Sequence, residues 1–313
     1  MASPASAVTG SAGELVRGGL APESFALGTF EVEGQATAGY IQGGQIWPLE
    51  EALPGHGNLE VLEVIRNWST LQSSISKPDS PGASLADVKL LTPVRVVRPP
   101  MCVGKNYQEH VKEVDSWKGP GITQPSVPTT PIIFTKAAES VIGPGEAVQY
   151  PHGVSSEVDY EAELAVVIGT GGRGISREDA LGHVFGYTIL NDITARDLQR
   201  NHQQWFLGKS VDTFCPVGPW IVPASQIDGQ NLGIKCWVNE ELRQESRTSE
   251  MIFDIRDLIH TISAAVTLQP GDIIATGTPA GVGAGFKPPR WLVPGDTVTI
   301  SVEGIGILQN AIE

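Results

Sequence analysis

The sequence predicts an α+β fold in which strands dominate. Three observations point there. Glu157–Leu164 alternates strictly, with Glu157, Asp159, Glu161 and Glu163 at odd positions and Val158, Tyr160, Ala162 and Leu164 at even ones. A period of two puts successive side chains on opposite faces, as in a strand. Short apolar runs follow the turn dipeptides Gly43-Gly44, Pro270-Gly271 and Pro294-Gly295, which reverse the chain between strands. Only Leu59–Leu71 and Phe253–Thr267 keep helical spacing over several turns.

In chain order, the first 25 residues are Ala/Ser-rich with Arg17 as the single base, alongside Glu14 and Glu23. They read as a disordered arm, a poor signal peptide and a weak organelle-targeting segment. Strands are expected at Ser24–Val32, Thr37–Ile41 and Gln45–Leu49. The helix Leu59–Leu71 groups Leu62, Ile65, Trp68 and Leu71 on one face. Lys77–Ala83 is a turn-rich linker. A boundary is placed near residue 90, giving a small N-terminal α/β module (1–90) and a larger domain (91–313).

The larger domain opens with strands at Val94–Val97 and Met101–Val103. Gly104 ends the second, and Asn106 is the expected N-cap of a helix over Tyr107–Val114. Asp115–Pro131 holds Gly119, Pro120, Gly121, Pro125, Pro128 and Pro131. It suits a lid over that helix. Pro131–Lys136 reads as a short buried strand. Gly169-Thr-Gly-Gly-Arg-Gly174 matches G-x-G-x-x-G, with Asp192 eighteen residues further on. The helix signal, however, is Ser176 with Asp179, after the glycines, so a phosphate would miss the helix N-terminus. The glycines are read as a turn. Phe185–Thr194 is a strand and Ala195–Arg200 a helical turn. A hairpin follows around Asn239-Glu240. The helix Phe253–Thr267 is capped by Asp254, with Ile255, Leu258, Ile259, Ile262 and Val266 on one face. Gly277–Gly283 is a glycine-rich loop where backbone can approach a ligand and Thr278 can offer a hydroxyl.

Composition narrows the function. The chain has 313 residues, enough for a sizeable core. Its net charge of −14 argues against nucleic acid and anionic membrane surfaces. No apolar run reaches the roughly 18 residues that span a bilayer. Cys102, Cys215 and Cys236 are odd in number and lack a paired His motif, so they read as core thiols in a reducing compartment.

The acids carry the chemistry. Along Glu157–Glu163 neighbouring carboxylates lie about 7 Å apart. Such charges raise each other's pKa unless a cation lies among them. Asp192 ends an otherwise apolar run, and a buried Asp is normally paired or bound to metal. Glu161, Glu163 and Asp192 thus offer hard oxygen ligands for Mg²⁺, Mn²⁺ or Ca²⁺. A charged exposed face is the competing reading, and Glu157 and Asp159 are assigned to a solvated edge. His110 and Glu113, three apart on one helix, form either an oriented general base or a surface ion pair. Lys209 follows an apolar run, as a counter-ion or a substrate contact.

These pieces resemble the fumarylacetoacetate hydrolase family. The resemblance rests on Cys-Val-Gly-Lys-Asn-Tyr-Gln-Glu-His-Val-Lys-Glu (102–113), Phe-Thr-Lys (134–136), Glu-Ala-Glu-Leu-Ala-Val-Val-Ile-Gly (161–169), Asn-Asp-Ile-Thr-Ala-Arg-Asp-Leu-Gln (191–199), Gly-Lys-Ser-Val-Asp-Thr-Phe-Cys-Pro (208–216) and Gly-Asp-Ile-Ile-Ala-Thr-Gly-Thr-Pro-Ala-Gly-Val-Gly (271–283). They fall in the family's order over residues 95–313. The N-terminal module, Gln204–Lys209 and the Lys287-Pro-Pro insert are similar to the family's longer branch, which includes mitochondrial oxaloacetate tautomerases. Shorter relatives are acylpyruvate hydrolases and oxaloacetate decarboxylases.

The resemblance implies a mixed β-sandwich roll with peripheral short helices, a homodimer, and Mg²⁺ or Mn²⁺, with Ca²⁺ as a substitute. Carried over by motif, the metal ligands are Glu161, Glu163 and Asp192. His110, Glu113 and Lys209 are catalytic. Lys136, Arg196, Gln199 and Thr278 border a small 2-oxo acid, with Arg196 as a bidentate clamp on its distal carboxylate. The expected reaction is oxaloacetate keto–enol tautomerisation, with decarboxylation or acylpyruvate hydrolysis as alternatives. The expected compartment is mitochondrial, with the cytoplasm as alternative. Ala137 departs from the proline that many relatives carry after the lysine.

Overall fold

The computed structural model of the protein describes residues 19–117 and 127–313. Most of the N-terminal arm and the central part of the expected lid lie outside the described residues. The strands are β1 (Ala26–Val32), β2 (Gln35–Gln42), β3 (Gln45–Pro48), β4 (Met101–Gly104), β5 (Ile132–Thr135), β6 (Ala162–Ile168), β7 (Val184–Asn191), β8 (Cys215–Pro223), β9 (Gly233–Val238), β10 (Glu241–Arg247), β11 (Ile273–Ala275), β12 (Thr297–Val302) and β13 (Gly306–Ala311). The helices are short: α1 (Leu49–Ala52), α2 (Val61–Arg66), α3 (Trp68–Leu71), α4 (Gln108–Trp117), α5 (Arg196–Asn201), α6 (Phe206–Lys209) and α7 (Ile255–Ala265). The architecture is the mostly-β one expected.

The main sheet runs β3-β2-β1-β8-β7-β6-β11-β4-β5, extended at the β3 end by Ala83–Ser84. A second sheet runs β10-β9-β12-β13. Most pairings are antiparallel, and β11 with β4 is parallel. Leu27 of β1 pairs with Ile221 of β8, so strands before residue 90 hydrogen-bond directly to strands after it. The Gly43-Gly44 turn joins β2 to β3 with both residues at positive φ (59° and 82°), the geometry that glycine tolerates in a tight hairpin.

The strand β6 is buried along its whole length. Ala162, Leu164, Val166 and Ile168 join one hydrophobic cluster, and Ala165 and Val167 join the other. β6 is buried on both faces, so its Glu163 does not belong to a solvated charged face. The extended segment is also broken: Val158–Asp159 pairs with Thr194–Ala195 as a separate two-residue ladder before β6 begins.

Other local expectations shift. The helix over 59–71 splits into α2 and α3 at Asn67, whose side chain bonds back to the Glu63 carbonyl (2.8 Å). Val94–Val97 is irregular rather than strand. β5 is a half-exposed edge strand rather than a buried one. Val266 ends α7 and is exposed. Asp254 caps α7 as expected, accepting from the Asp257 amide (2.9 Å). The glycines of 169–174 form a turn, and Ser176 with Asp179 opens only a short turn before the single 3₁₀ turn Ala180–His183. The three cysteines are buried and free, and burial pushes the Cys215 thiol up to about 12. Among the described residues no helix is long and apolar enough to cross a membrane.

Candidate active site

Two adjacent strands bring the acids together. Ala162 pairs with Asn191 and Glu163 with Leu190 in the β6/β7 ladder. Asp192, just past β7, donates its amide to the Glu161 carbonyl (2.9 Å). Glu161 and Asp192 therefore face each other at one end of the ladder, and Glu163 lies one pleat further on the Glu161 face. All three are buried, and one carboxylate oxygen from each lies within 4.8 Å of the others.

Cations are built into the same core. Lys209, at the end of α6, donates Nζ to Glu161 (2.6 Å) and Asp192 (2.7 Å). Lys136 donates Nζ to Asp192 (2.6 Å) and to the Ile193 carbonyl (3.0 Å). Arg196 reaches Glu161 through Nη2 (2.7 Å) and Asp159 through Nε (2.9 Å). Burial works against the charge of Glu161, but Lys209 and Arg196 outweigh it and hold its carboxyl well below the usual range. Burial likewise opposes the Lys209 charge, yet Asp192 and Glu161 keep its pKa raised.

Glu163 is different. It accepts the Gly277 amide (2.8 Å), and no ion pair reaches it among the described residues. Burial, with Asp192 and Glu161 adding to it, pushes its carboxyl well above the usual range. Within this cluster, among the described residues, four buried acids (Asp159, Glu161, Glu163, Asp192) stand against three buried cations (Lys136, Arg196, Lys209). A buried carboxylate without a counter-charge is costly. The donors are all hard oxygens, so a divalent cation of the Mg²⁺ type fits the cluster.

The cluster opens on a cavity of about 440 Å³. Glu161, Glu163, Lys209, Arg196, Gln199, Thr278 and His110 line it, with Val103, Phe134 and Trp205 as an apolar wall. His110 is buried, and its Nδ1 lies 3.0 Å from Glu113 Oε2; the pair is not a surface ion pair. Asn106 does not cap α4. Its side-chain amide donates to the Phe253 (3.0 Å) and Thr276 (2.7 Å) carbonyls and fixes the start of the helix. A second cavity of about 440 Å³, beside β1 and β2, carries Glu60, Arg95 and Glu146 as its only charged lining residues and no acid cluster.

Several residues take roles other than those expected. Lys136 is absent from the cavity wall and serves as counter-ion to Asp192, because its ammonium is fully enclosed behind that carboxylate. Arg196 has its fork engaged by Asp159, by Glu161 and by Gln199 Oε1 (3.2 Å), so it is not poised as a free clamp. Asp159 is no solvated edge: it is fully buried and accepts from the Gly283 (2.6 Å) and Ala284 (3.1 Å) amides as well as Arg196. Glu157 does stay at the edge, paired with Arg200 (2.7 and 2.9 Å). Gln244 carries no sequence signal, yet it donates to Thr278 Oγ1 (2.7 Å) and accepts the Ala162 amide (3.1 Å), tying the glycine loop to β6. Ala137 keeps an amide that proline would lack, and donates it to Ser210 Oγ beside Lys209 (3.0 Å).

Residues 100–313 match the fumarylacetoacetate (FAA) hydrolase C-terminal family. The chain is 50% identical over 231 residues to oxaloacetate tautomerase YisK of Bacillus subtilis, covering 73% of this chain and 74% of that protein. It is 45% identical over 230 residues to the human mitochondrial oxaloacetate tautomerase FAHD2B, covering 72% and 70%. Among solved structures, fumarylacetoacetate hydrolase from Exiguobacterium antarcticum superposes with a TM-score of 0.78 at 40% identity, covering 93% of this chain and 99% of that one. Maleylpyruvate hydrolase from Sphingobium gives 0.73 at 32% identity, covering 92% and 98%.

Proposed function

The chain belongs to the fumarylacetoacetate hydrolase family, and from that premise we propose that it is a divalent-metal-dependent enzyme that enolises 2-oxo acids, acting first as an oxaloacetate keto–enol tautomerase. The observation that carries this reading is Glu163: a buried carboxylate with no ion-pair partner among the described residues, beside Glu161 and Asp192 on a cavity wall. The relatives named oxaloacetate tautomerase, 45 to 50% identical, support the substrate.

Glu161, Glu163 and Asp192 would hold the ion, proposed as Mg²⁺ with Mn²⁺ as a substitute. Bound there, a divalent cation supplies Lewis-acid stabilisation for negative charge developing on a keto oxygen. The protein's own groups do the rest. Lys209 fixes Glu161 and Asp192 from one side and adds positive charge to the floor. Arg196 holds Glu161 and Gln199 in orientation. Gln199 and Thr278 offer neutral hydrogen-bonding groups on the cavity wall.

Glu113 accepts at His110 Nδ1, which leaves Nε2 as the ring atom that takes or returns a proton. Tautomerisation then needs one proton removed from C3 and one delivered to the C2 oxygen, with the double bond moving from C2–O to C2–C3, or the reverse. The His110–Glu113 hydrogen bond also favours a second reading within the family, in which the dyad activates water for acylpyruvate hydrolysis; decarboxylation of oxaloacetate completes the set. Two finer expectations belong to the same proposal: a homodimer, read by light scattering, and a mitochondrial address, shared by name with the human relative, against a cytoplasmic one.

The test is a panel with and without Mg²⁺: decay of enol-oxaloacetate absorbance, pyruvate release from oxaloacetate, and acetylpyruvate hydrolysis. Mg²⁺-dependent enol decay faster than the other two supports tautomerisation. A dominant second or third activity assigns the chain to the corresponding alternative.

A further inference from the structure

One loop receives three of the acids. Gly277 donates its amide to Glu163 Oε2 (2.8 Å), Gly281 to Glu113 Oε1 (3.0 Å), and Gly283 and Ala284 to Asp159 Oδ1 and Oδ2 (2.6 and 3.1 Å). The first acid belongs to the proposed metal cluster and the second to the His110 dyad. The third touches neither and is fully buried.

The glycines in this loop are required by contact. Gly281 has φ +104°, and a Cβ there would stand 1.9 Å from the Arg243 carbonyl oxygen. A Cβ on Gly283 would meet Asp159 Oδ1 at 2.7 Å and the Arg290 carbonyl oxygen at 2.3 Å. One on Gly285 would fall 1.8 Å from Glu113 Oε1. The loop backbone therefore lies directly against both carboxylates, with no side chain between.

Asp159 faces two ways. Its Oδ2 accepts Arg196 Nε (2.9 Å), and Arg196 Nη2 reaches Glu161 Oε1 (2.7 Å). Its Oδ1 fixes Gly283, two residues beyond the Gly281 amide that holds Glu113. A single side chain is thus one residue removed from the metal-cluster carboxylate and one short backbone step removed from the dyad acid.

We propose that Asp159 is a positioning residue that registers the His110–Glu113 dyad against the Glu161 carboxylate, through Arg196 on one side and the Gly277–Ala284 loop on the other. Removing its charge releases both branches. Disturbing the loop at Gly281, where an added Cβ would meet the Arg243 carbonyl and not Asp159, releases the dyad branch and spares the Arg196 branch. The inference rests on the metal-dependent reading of the site, so its test includes a measurement made without substrate.

The experiment compares Asp159→Asn and Gly281→Ala with the wild type in Mn²⁺ affinity, by titration of the substrate-free protein, and in kcat and KM for enol-oxaloacetate at saturating Mn²⁺. Orienting partners of metal ligands are typically worth about 10- to 100-fold in affinity or activity. Asp159→Asn is expected to lose about tenfold or more in both Mn²⁺ affinity and kcat. Gly281→Ala is expected to lose kcat on a similar scale of roughly tenfold, with Mn²⁺ affinity kept. In both, KM should move much less than kcat. Wild-type kcat in either variant overturns the loop branch, and wild-type Mn²⁺ affinity in a folded Asp159→Asn overturns the Arg196 branch. Should Asp159→Asn fail to fold, Asp159→Glu, which keeps the charge and shifts the carboxylate by one methylene, is measured in its place with the same expectations. Should the wild type bind Mn²⁺ yet turn over no enol-oxaloacetate, the substrate reading fails while the affinity comparison still judges Asp159.

Discussion

The floor and the wall of the cavity are built on opposite principles. The floor is sheet: Glu161, Glu163 and Asp192 come from the ends of two paired strands, and Lys136, Lys209 and Arg196 lock Glu161 and Asp192. The wall is one short helix and a loop: His110 and Glu113 on α4, with Glu113 held by the Gly281 amide. The floor stores paired charge at the edge of a core in which β6 is buried on both faces. The wall presents an imidazole, a group suited to passing a proton between neighbouring atoms. Fixed charge suits holding a cation, and an exchangeable proton suits enolisation.

Substitutions can separate the two. The largest effect is expected from Glu163→Ala, which removes the acid that no ion pair reaches among the described residues. Metal-dependent activity should fall by more than the roughly 100-fold that orienting partners of metal ligands are worth, and Mn²⁺ affinity should fall with it; full activity would break the assignment of the floor. His110→Ala should lower kcat by about 100-fold, the scale of general acid–base catalysis, while leaving Mn²⁺ affinity intact. Equal loss of metal affinity in that variant would erase the distinction between floor and wall.

The pH dependence sharpens the floor itself. In metal-free protein Glu163 has a raised folded-state pKa, so the folded chain keeps a proton that the unfolded chain sheds. Its contribution to stability therefore declines as pH rises above the ordinary value of 4.5. Glu161 behaves oppositely: its contribution is present above 4.5 and lost as pH falls. In EDTA-treated samples the melting temperature of Glu163→Gln should gain on that of the wild type between about pH 5 and pH 8. A constant difference would mean that Glu163 is already compensated.

Much of the floor was legible in the sequence and little of what orients it. The period-two acids and the Asp at the end of an apolar run mark Glu161, Glu163 and Asp192, because burial of a carboxylate demands a partner wherever it occurs. Asp159 was not legible. Alternation assigns it to the same face as Glu157, but the ladder breaks before β6 and a loop more than a hundred residues later folds over it. The motifs mark Lys136 and Arg196 as substrate neighbours and not as counter-ions, since such pairing is set by tertiary register rather than by spacing. Gln244 left no trace for the same reason. The helix over 59–71 followed its periodicity into two pieces because Asn67 turns its side chain onto the helix backbone.

The smallest effect is expected at the other end of the same acidic stretch. Glu157→Gln breaks a pair with the exposed Arg200, and such pairs contribute about 1 kcal/mol or less. Chemical denaturation should show no larger loss, and activity should be unchanged. A large loss of activity there would extend the working site outward along the strand.

The central claim is that the buried acids act through a divalent cation on an enolisable 2-oxo acid. Enol-oxaloacetate absorbance, followed with wild-type protein first stripped by EDTA and then resupplied with Mg²⁺, tests it most directly. Decay should drop to the buffer rate on stripping and return with Mg²⁺. A stripped protein that ketonises as fast as the resupplied one would contradict it.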